Sequence, residues 1–185
     1  MRIEFWFKLA AALAVIWLVA ALAIHFARAA QPTPDSVAAY LRVSMGDRGL
    51  EERARRIARA ADLLNRLSFE QRQQLRGQHA QDEFFRQLTP DEQGRFLDAT
   101  LPTGFKQMME NFNKMDPAKR KQFVERALTE MKKREGQESP RGLDDANAQK
   151  IVNQGLRSFY NDASADVKLD LAPLIEQMQK SNFSR

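Results

Sequence analysis

Cysteine is absent from this sequence of 185 residues, and histidine occurs only twice. Without cysteine the chain cannot form a disulfide framework, a thiolate metal site or a thiol nucleophile. His25 lies inside a hydrophobic run and His79 in a polar stretch, so the sequence also lacks the imidazole cluster that a zinc site needs. The cysteine usage permits an exported location but does not indicate one.

Common catalytic and phosphate-binding motifs are missing as well. The sequence has no GxxxxGK[ST] or GxGxxG run, and residues 46–49 follow no predicted strand, so nothing indicates a phosphate cradle. No GxSxG motif lies near His79. Asp144 and Asp145 lack the spaced ligands of a calcium loop. We therefore expect a non-catalytic protein without cofactor, metal or small-molecule substrate.

Charge is abundant but balanced. Charged residues make up 29% of the sequence and hydrophobic residues 43%, which is typical of a globular protein. Lysine and arginine outnumber aspartate and glutamate by 29 to 24, a net charge of +5. Both signs are interleaved along most of the chain, so the excess favours anionic neighbours without identifying one. The length suits one domain with its own core.

The longest apolar run comes first, at residues 9–27, with the sequence LAAALAVIWLVAALAIHFA. As a helix its roughly 19 residues would span roughly 28 Å, close to the ~30 Å hydrocarbon thickness of a bilayer. We therefore predict one transmembrane helix at residues 9–27, preceded by a short cytoplasmic head at residues 1–8. Trp6 and His25 lie near its two ends, where the membrane interface tolerates such rings.

A cleaved signal peptide is the alternative for the same segment. Residues 27–29, Ala-Arg-Ala, have the small-x-small form of a cleavage site, although the apolar run exceeds the ~7–15 residues usual for a signal core. Basic residues nearly balance on the two sides, and the short head is the better cytoplasmic candidate. We expect a single-pass protein of the bacterial inner membrane with its C-terminal domain in the periplasm, or an exported protein if the segment is removed.

Beyond a proline-bearing linker at residues 28–34, apolar residues recur at helical spacing and no alternating run is long enough for a convincing strand. The sequence predicts an irregular all-α domain over residues 35–180. Thr33 and Pro34 resemble the cap and first turn of its first helix. Apolar stripes mark four predicted buried faces: Val37, Tyr40, Leu41 and Met45; Leu50, Ala54, Ile57, Ala61 and Leu64; Phe123, Ala127, Leu128 and Met131; Val152, Leu156, Phe159 and Tyr160. Four arginines are expected at the sides of the second helix or in solvent: Arg53, Arg55, Arg56 and Arg59.

Four positions in this domain place a helix-capping residue after a mostly apolar one: Leu67-Ser68, Leu88-Thr89, Met115-Asp116 and Ala163-Ser164. Ser68 with Gln71 and Thr89 with Glu92 have capping-box spacing, in which each side chain satisfies the other residue's backbone N–H. The intervals of about 21, 27 and 48 residues are too uneven for a regular solenoid. We interpret these positions as repeated helix starts.

Breaks in the helical pattern are few. Residues 135–142, EGQESPRG, form the best interior loop. The loop either connects parts of one domain or separates a larger N-terminal layer from a C-terminal hairpin. Pro173 is expected to kink or split the last helix, and residues 181–185 are expected to fray.

Two surfaces are candidates for binding a partner, and the first is basic: Lys119, Arg120, Lys121, Lys132, Lys133 and Arg134. Such a helix face can hold phosphates. Glutamates interrupt it and no aromatic residues interleave with it, so a solvated helix face is the favoured interpretation. On an outward-facing domain, anionic lipid or an acidic polymer would be a better ligand than nucleic acid.

The second candidate surface is hydrophobic: Phe105, Met108, Met109 and Phe112. Methionine repacks readily around different partners, so an exposed stripe of this kind would suit an adaptable binding groove. At this helical spacing, however, an ordinary core stripe is the favoured interpretation.

The segments LSFEQRQQLR and LTPDEQGRF resemble the paired LTxxQ motifs of the Spy and CpxP family, small exported helical proteins that act as envelope chaperones or stress regulators. Leu67, Ser68 and Gln71 fit the first motif with serine in place of threonine. Leu88 and Thr89 fit the second, with glutamate where glutamine is expected. The match is confined to these two segments, and it implies an envelope chaperone or stress-sensing role.

Together the patterns favour a single-pass membrane protein whose outward-facing helical domain binds other proteins as a scaffold or accessory subunit. An exported chaperone-like or stress-sensing protein is the first alternative. A binder of anionic lipid or polymer is the second.

Overall fold

The computed structural model describes residue 17 and residues 31–46, 48–134 and 143–183, without the side chains of Lys132, Arg134 and residues 178–183. From residue 34 onward these ranges contain helices joined by short connections, and they contain no strand, so the predicted all-α class is confirmed. The helices described are α1 (Pro34–Arg42), α2 (Leu50–Asn65), α3 (Phe69–Gly77), α4 (Ala80–Arg86), α5 (Pro90–Lys114), α6 (Pro117–Arg134), α7 (Asp145–Asp162) and α8 (Ala165–Phe183).

The chain divides into two units, Met1–Thr33 and Pro34–Arg185, and the helices α1 to α8 all belong to the second. The predicted head, transmembrane segment and alternative cleavage site lie outside the described residues, apart from Trp17, which is helical. The predicted loop at residues 135–142 lies outside them too. Among the helices that are described, none has the length and apolar composition that a membrane crossing requires.

All four predicted helix starts are confirmed, and each begins with a side-chain cap. Ser68 and Thr89 form complete capping boxes with Gln71 and Glu92, respectively. The other two caps accept backbone N–H groups of the first helical turn. The four caps precede α3, α5, α6 and α8 in that order: Ser68, Thr89, Asp116 and Ser164.

Helices α1 to α4 and the first half of α5 enclose one hydrophobic core: Val37, Ala38, Leu41, Met45, Ile57, Ala60, Ala61, Leu64, Leu67, Leu75, Ala80, Phe84, Leu88 and Phe96. The α1 stripe is buried as predicted, with Tyr40 half-buried at its edge. The α2 stripe is only partly right, because Ala54 is exposed and Leu50 is 86% exposed. Leu50 is the first residue of α2, and the buried face begins two turns later at Ile57.

Two of the arginines predicted to face solvent instead hold helices together. Arg53 forms an ion pair with Glu92 of α5 at 2.6 Å. Arg56 donates to the carbonyls of Tyr40 (2.6 Å) and Val43 (2.8 Å), where the last carbonyls of α1 need donors. The prediction was wrong for these two because α2 packs against α1 and α5, which bring these acceptors to its polar side.

Helix α5 packs against α7, and α6 packs against α8. The Asn147 side chain donates to the Pro90 carbonyl at 3.0 Å, near the starts of α7 and α5. Asn113, near the end of α5, donates to the carbonyl of Asp162 (2.9 Å) and accepts the N–H of Ser164 (2.8 Å). Because the partner residues advance together along both helices, α5 and α7 run parallel and the turns that follow them are neighbours.

Two glycines allow α5 and α7 to approach closely. A Cβ atom at Gly94 would lie 3.0 Å from the side chain of Asn147, and one at Gly155 would lie 3.3 Å from the ring of Phe105. Either glycine therefore accepts a neighbouring side chain where any other residue would crowd it.

A second hydrophobic core lies among α5, α6, α7 and α8: Met109, Phe112, Val124, Phe159, Ala163, Val167 and Leu171. The stripes predicted on α6 and α7 contribute Val124 and Phe159 to it, whereas Phe123 is 44% and Tyr160 56% exposed. Phe123 still packs edge-on against Phe112, with ring centroids 4.9 Å apart. Helix α5 thus links the two cores, since Phe96 lies in the first and Met109 in the second.

Proline does not end either helix that contains it. Of the two outcomes predicted for Pro173, a kink or a split, the split does not occur, because α8 is continuous from Ala165 to Phe183. Pro173 and Leu169 are both exposed, so the Leu169 carbonyl that loses its helical donor lies on the solvent side. The helix also extends further than the predicted start of the frayed tail at residue 181. Pro102 lies inside α5 in the same way.

Candidate functional site

The hydrophobic stripe on α5 faces mainly inward. Met109 and Phe112 are 4% and 5% exposed and belong to the second core, and Met108 packs against that core. Phe105 is half-buried beside Gly155 of α7. These four residues therefore form an internal contact between helices and do not form an open groove.

Arg120 is a buried structural residue and not part of an exposed basic face. Its guanidinium is 2.7 Å from the Asp170 carboxylate of α8 and donates to the Met115 carbonyl at 2.8 Å. It also donates to the Phe112 carbonyl at 3.5 Å. Arg120 is 6% exposed, so it closes the end of the second core where α6 and α8 begin side by side.

The remaining basic residues of α6 are distributed around the helix. Lys119 and Lys121 are exposed, and their side chains have no hydrogen-bond or ion-pair partner among the residues described. They are two positions apart, so they point to different sides of the helix. Lys133 is paired with Glu130 at 3.3 Å, and the side chains of Lys132 and Arg134 lie outside the described part. The exposed arginine at position 126 shares a side with Lys119 at i, i+7.

A cleft of about 330 Å³ lies between the parallel helices α5 and α7. It is lined by Leu97, Asp98, Leu101 and Pro102 from α5, and by Lys150, Asn153, Gln154 and Arg157 from α7. The four α7 residues follow the spacing i, i+3, i+4, i+7, which places them on one face of the helix. The cleft therefore has a mainly apolar wall on α5 and a polar wall on α7.

The α5 wall offers apolar contact and one unusual acceptor. Leu97 is buried, Leu101 is half-buried and Pro102 is exposed. Proline has no backbone N–H, so the carbonyl of Asp98 lacks its i+4 donor within the helix. This carbonyl can accept a hydrogen bond from a bound molecule.

The α7 wall carries both occupied and free polar groups. Lys150 binds the Asp98 carboxylate at 2.5 Å, and Asn153 accepts from Gln149 at 2.9 Å. Within the part of the chain that the structure describes, the side chains of Gln154 and Arg157 have no hydrogen-bond or ion-pair partner. The cleft thus presents one amide and one cation that are available to a ligand.

Sequence reasoning did not identify this cleft, although two signals were present. Pro102 lies inside a strongly capped helix, and the polar residues from Lys150 to Arg157 share one helical face. Neither signal reveals that the two elements are neighbours, because their pairing depends on contacts separated by about fifty residues of chain, such as that between Asp98 and Lys150.

Other groups of polar side chains are weaker candidates for a binding site. A second, smaller cleft of about 200 Å³ is lined by Arg76, His79, Gln81 and Asp82, around the start of the short helix α4. His79 is exposed, as predicted, and lies 3.8 Å from Asp82. In the described ranges no group of three or more histidine, aspartate or glutamate residues is placed to hold a metal ion.

The resemblance to the Spy and CpxP family stays a prediction. Its two segments contain the capping boxes at Ser68 and Thr89, which serve as helix starts. Comparisons with protein-family models, with curated proteins and with solved structures give no match for this chain.

Proposed function

We propose that this chain is a non-catalytic protein-binding protein, held at a membrane by residues 9–27, and that the cleft between α5 and α7 receives part of its partner. The supporting observation for binding is the cleft itself, where the side chains of Gln154 and Arg157 have no partner among the described residues and lie beside the apolar residues Leu101 and Pro102. Interfaces commonly combine such an apolar contact with a few polar groups and an arginine.

The membrane part of the proposal rests on the apolar run of residues 9–27 and its spanning length. We expect the full-length mass in washed membranes of the native host and resistance of the chain to extraction by alkaline carbonate. Protease added to spheroplasts should cut the C-terminal domain. A mass that corresponds to a chain beginning near residue 30 would show that the protein is cleaved and exported and not anchored. Protection of the domain from protease would place it on the cytoplasmic side.

Site-specific photo-crosslinking tests the binding part. A photoreactive amino acid at Asn153, exposed on the α7 wall, should give discrete protein adducts in native membranes. The matched control is Gln122, which is exposed on α6 away from the cleft. Adducts from both positions, or from neither, would contradict the proposal that the cleft is the binding surface.

Binding of an anionic polymer is the second candidate function. It is favoured by the exposed side chains of Lys119 and Lys121, which have no partner within the described ranges. Binding of fluorescent polyphosphate to the full chain should then fall with salt and with the double substitution Lys119→Glu and Lys121→Glu. The control is Lys106→Glu on α5. If Lys106→Glu loses as much polyphosphate binding, the effect depends only on the net charge of the chain and not on Lys119 and Lys121.

The chaperone-like alternative depended on an exposed Phe and Met surface. Met109 and Phe112 are instead core residues. Of the three functions considered, it therefore has the least support from the described surface.

A further inference from the structure

We infer that the cleft between α5 and α7 takes an extended, acidic segment of a partner protein, with a carboxylate on Arg157 and an apolar side chain against Leu101 and Pro102. This inference rests on the proposed function and specifies the chemistry of the partner. It draws on the charge, the hydrogen-bonding groups and the size of the cleft.

Charge selects an acidic ligand. The lining contains two cations, Lys150 and Arg157, and one anion, Asp98. Lys150 and Asp98 are paired with each other at 2.5 Å, so the uncompensated charge of the cleft lies at Arg157. A guanidinium binds a carboxylate through two parallel hydrogen bonds, which makes it the strongest anchor that this lining offers.

The hydrogen-bonding groups suit a peptide backbone. The Gln154 side chain supplies both a donor and an acceptor, the same pair that a peptide unit presents. The Asp98 carbonyl, left without its helical donor by Pro102, can accept a further backbone N–H. An extended segment has unpaired backbone groups for these contacts, whereas a helical ligand has already used its own.

The size of the cleft also favours an extended ligand. Its volume of about 330 Å³ is near the lower end of the ~300–1,000 Å³ usual for ligand pockets. A helix with its side chains is about 10–12 Å across and would not enter such a space. A few residues in extended form, with one apolar side chain directed to the α5 wall, would fit.

The test uses the full chain in lipid nanodiscs and two fluorescent ten-residue peptides. The first alternates leucine and glutamate, and the second has glutamine in place of every glutamate. We expect the glutamate peptide to bind about tenfold more tightly, because a charge-assisted hydrogen bond to Arg157 is lost in the second. Both Arg157→Glu and Arg157→Gln should remove this preference, so that the ratio of the two affinities falls to about one.

The control is Arg126→Glu, which changes the net charge equally at an exposed arginine of α6 whose side chain has no partner in the part of the chain that the structure describes. This variant should keep the tenfold preference. If both Arg157→Glu and Arg126→Glu lose the preference, it depends on the overall charge of the chain and not on the cleft, and the inference is overturned. Equal binding of the two peptides to the unmodified chain would overturn it as well.

Failure of this inference is distinguishable from failure of the proposed function. If Asn153 yields protein adducts in membranes while the glutamate peptide shows no preference, the cleft binds a partner of different chemistry and only the inference falls. If Asn153 yields no adducts, the proposed role of the cleft falls with it. Thermal unfolding of each variant, unchanged at these exposed positions, excludes misfolding as the cause.

Discussion

Glu92 binds Arg53 through both carboxylate oxygens and also caps its own helix. Its Oε1 is 2.7 Å from Arg53 Nε, and its Oε2 accepts from Arg53 Nη2 (2.6 Å) and from the Thr89 N–H (2.9 Å). The Arg53 guanidinium further donates to the Gln87 carbonyl at 3.1 Å. One carboxylate therefore fixes the start of α5 and attaches α2 to it.

This arrangement predicts acid sensitivity. The hydrogen bonds from Arg53 lower the pKa of Glu92 from 4.5 to about 2, against the opposing effect of burial. Because the folded-state pKa is depressed, the stabilisation is complete above about pH 4.5 and is lost as the pH falls towards 2. Glu92→Gln should lower the free energy of unfolding by about 2 kcal/mol at pH 7, measured by urea denaturation.

The gap between the unmodified chain and Glu92→Gln should close between pH 4.5 and 2, since both side chains are then neutral. Glu110→Gln is the matched control, because Glu110 is exposed on the same helix and has no hydrogen-bond or ion-pair partner among the described residues. A gap that stays constant down to pH 2 would show that the carboxylate charge is not what stabilises the contact.

Removal of the charge should cost much more stability at Arg53 than at Arg72. Burial lowers the pKa of Arg72, which donates to Asn65 but binds no carboxylate, and its Nε is buried without a partner. Arg53→Met leaves Glu92 unpaired and should cost about 3 kcal/mol. Arg72→Met removes a poorly satisfied cation and should cost less than about 1 kcal/mol. Denaturation of both variants in parallel tests the contrast, which equal losses would refute.

Arg120 should be essential to the second core although its neighbours in sequence are not. Arg120→Ala leaves the Asp170 carboxylate and the Met115 carbonyl without their donor. We expect a loss of about 3 kcal/mol in the free energy of unfolding. Lys121→Ala, at the exposed neighbouring position, should change it by less than about 0.5 kcal/mol. Similar small effects at both positions would mean that the buried pair contributes nothing to stability.

The close approach of α5 and α7 should be sensitive to side-chain size. Gly155→Leu places a side chain where the Phe105 ring already lies, at 3.3 Å from the first added carbon. Overpacking of this kind costs about 2 kcal/mol, and we also expect the cleft to lose its preference for the acidic peptide. Gly77→Leu is the control, since nothing lies within 4 Å of that position. If Gly155→Leu leaves both the stability and the peptide preference unchanged, the tight contact is disproved.

Local features of this fold could be read from the sequence, whereas contacts between distant elements could not. The caps at Ser68 and Thr89 depend only on neighbouring residues, so their spacing was sufficient to predict two helix starts. The partner of Arg53, Glu92, lies 39 residues away, and no residue near Arg53 in the sequence indicates that the two form an ion pair. Arg120 was assigned to the surface for the same reason, since Asp170 is 50 residues further on.

The candidate cleft depended even more on tertiary structure. Its polar wall was visible as a pattern on α7, and its proline as a residue inside α5. Their juxtaposition follows from Gly94 and Gly155, which let the helices meet. The sequence does not show which other helix packs against a glycine that lies within a helix.

The packing of α5 against α7 and of α6 against α8 has a consequence for synthesis of the chain. The hydrogen bonds and ion pairs that join them link residues 49 to 57 positions apart. On the ribosome, α5 and α6 therefore emerge well before α7 and α8, which cover Met109 and Phe112 in the finished molecule. During that interval the nascent chain displays a Phe and Met stripe to the cell's general folding machinery, and the stripe disappears once the last helix docks.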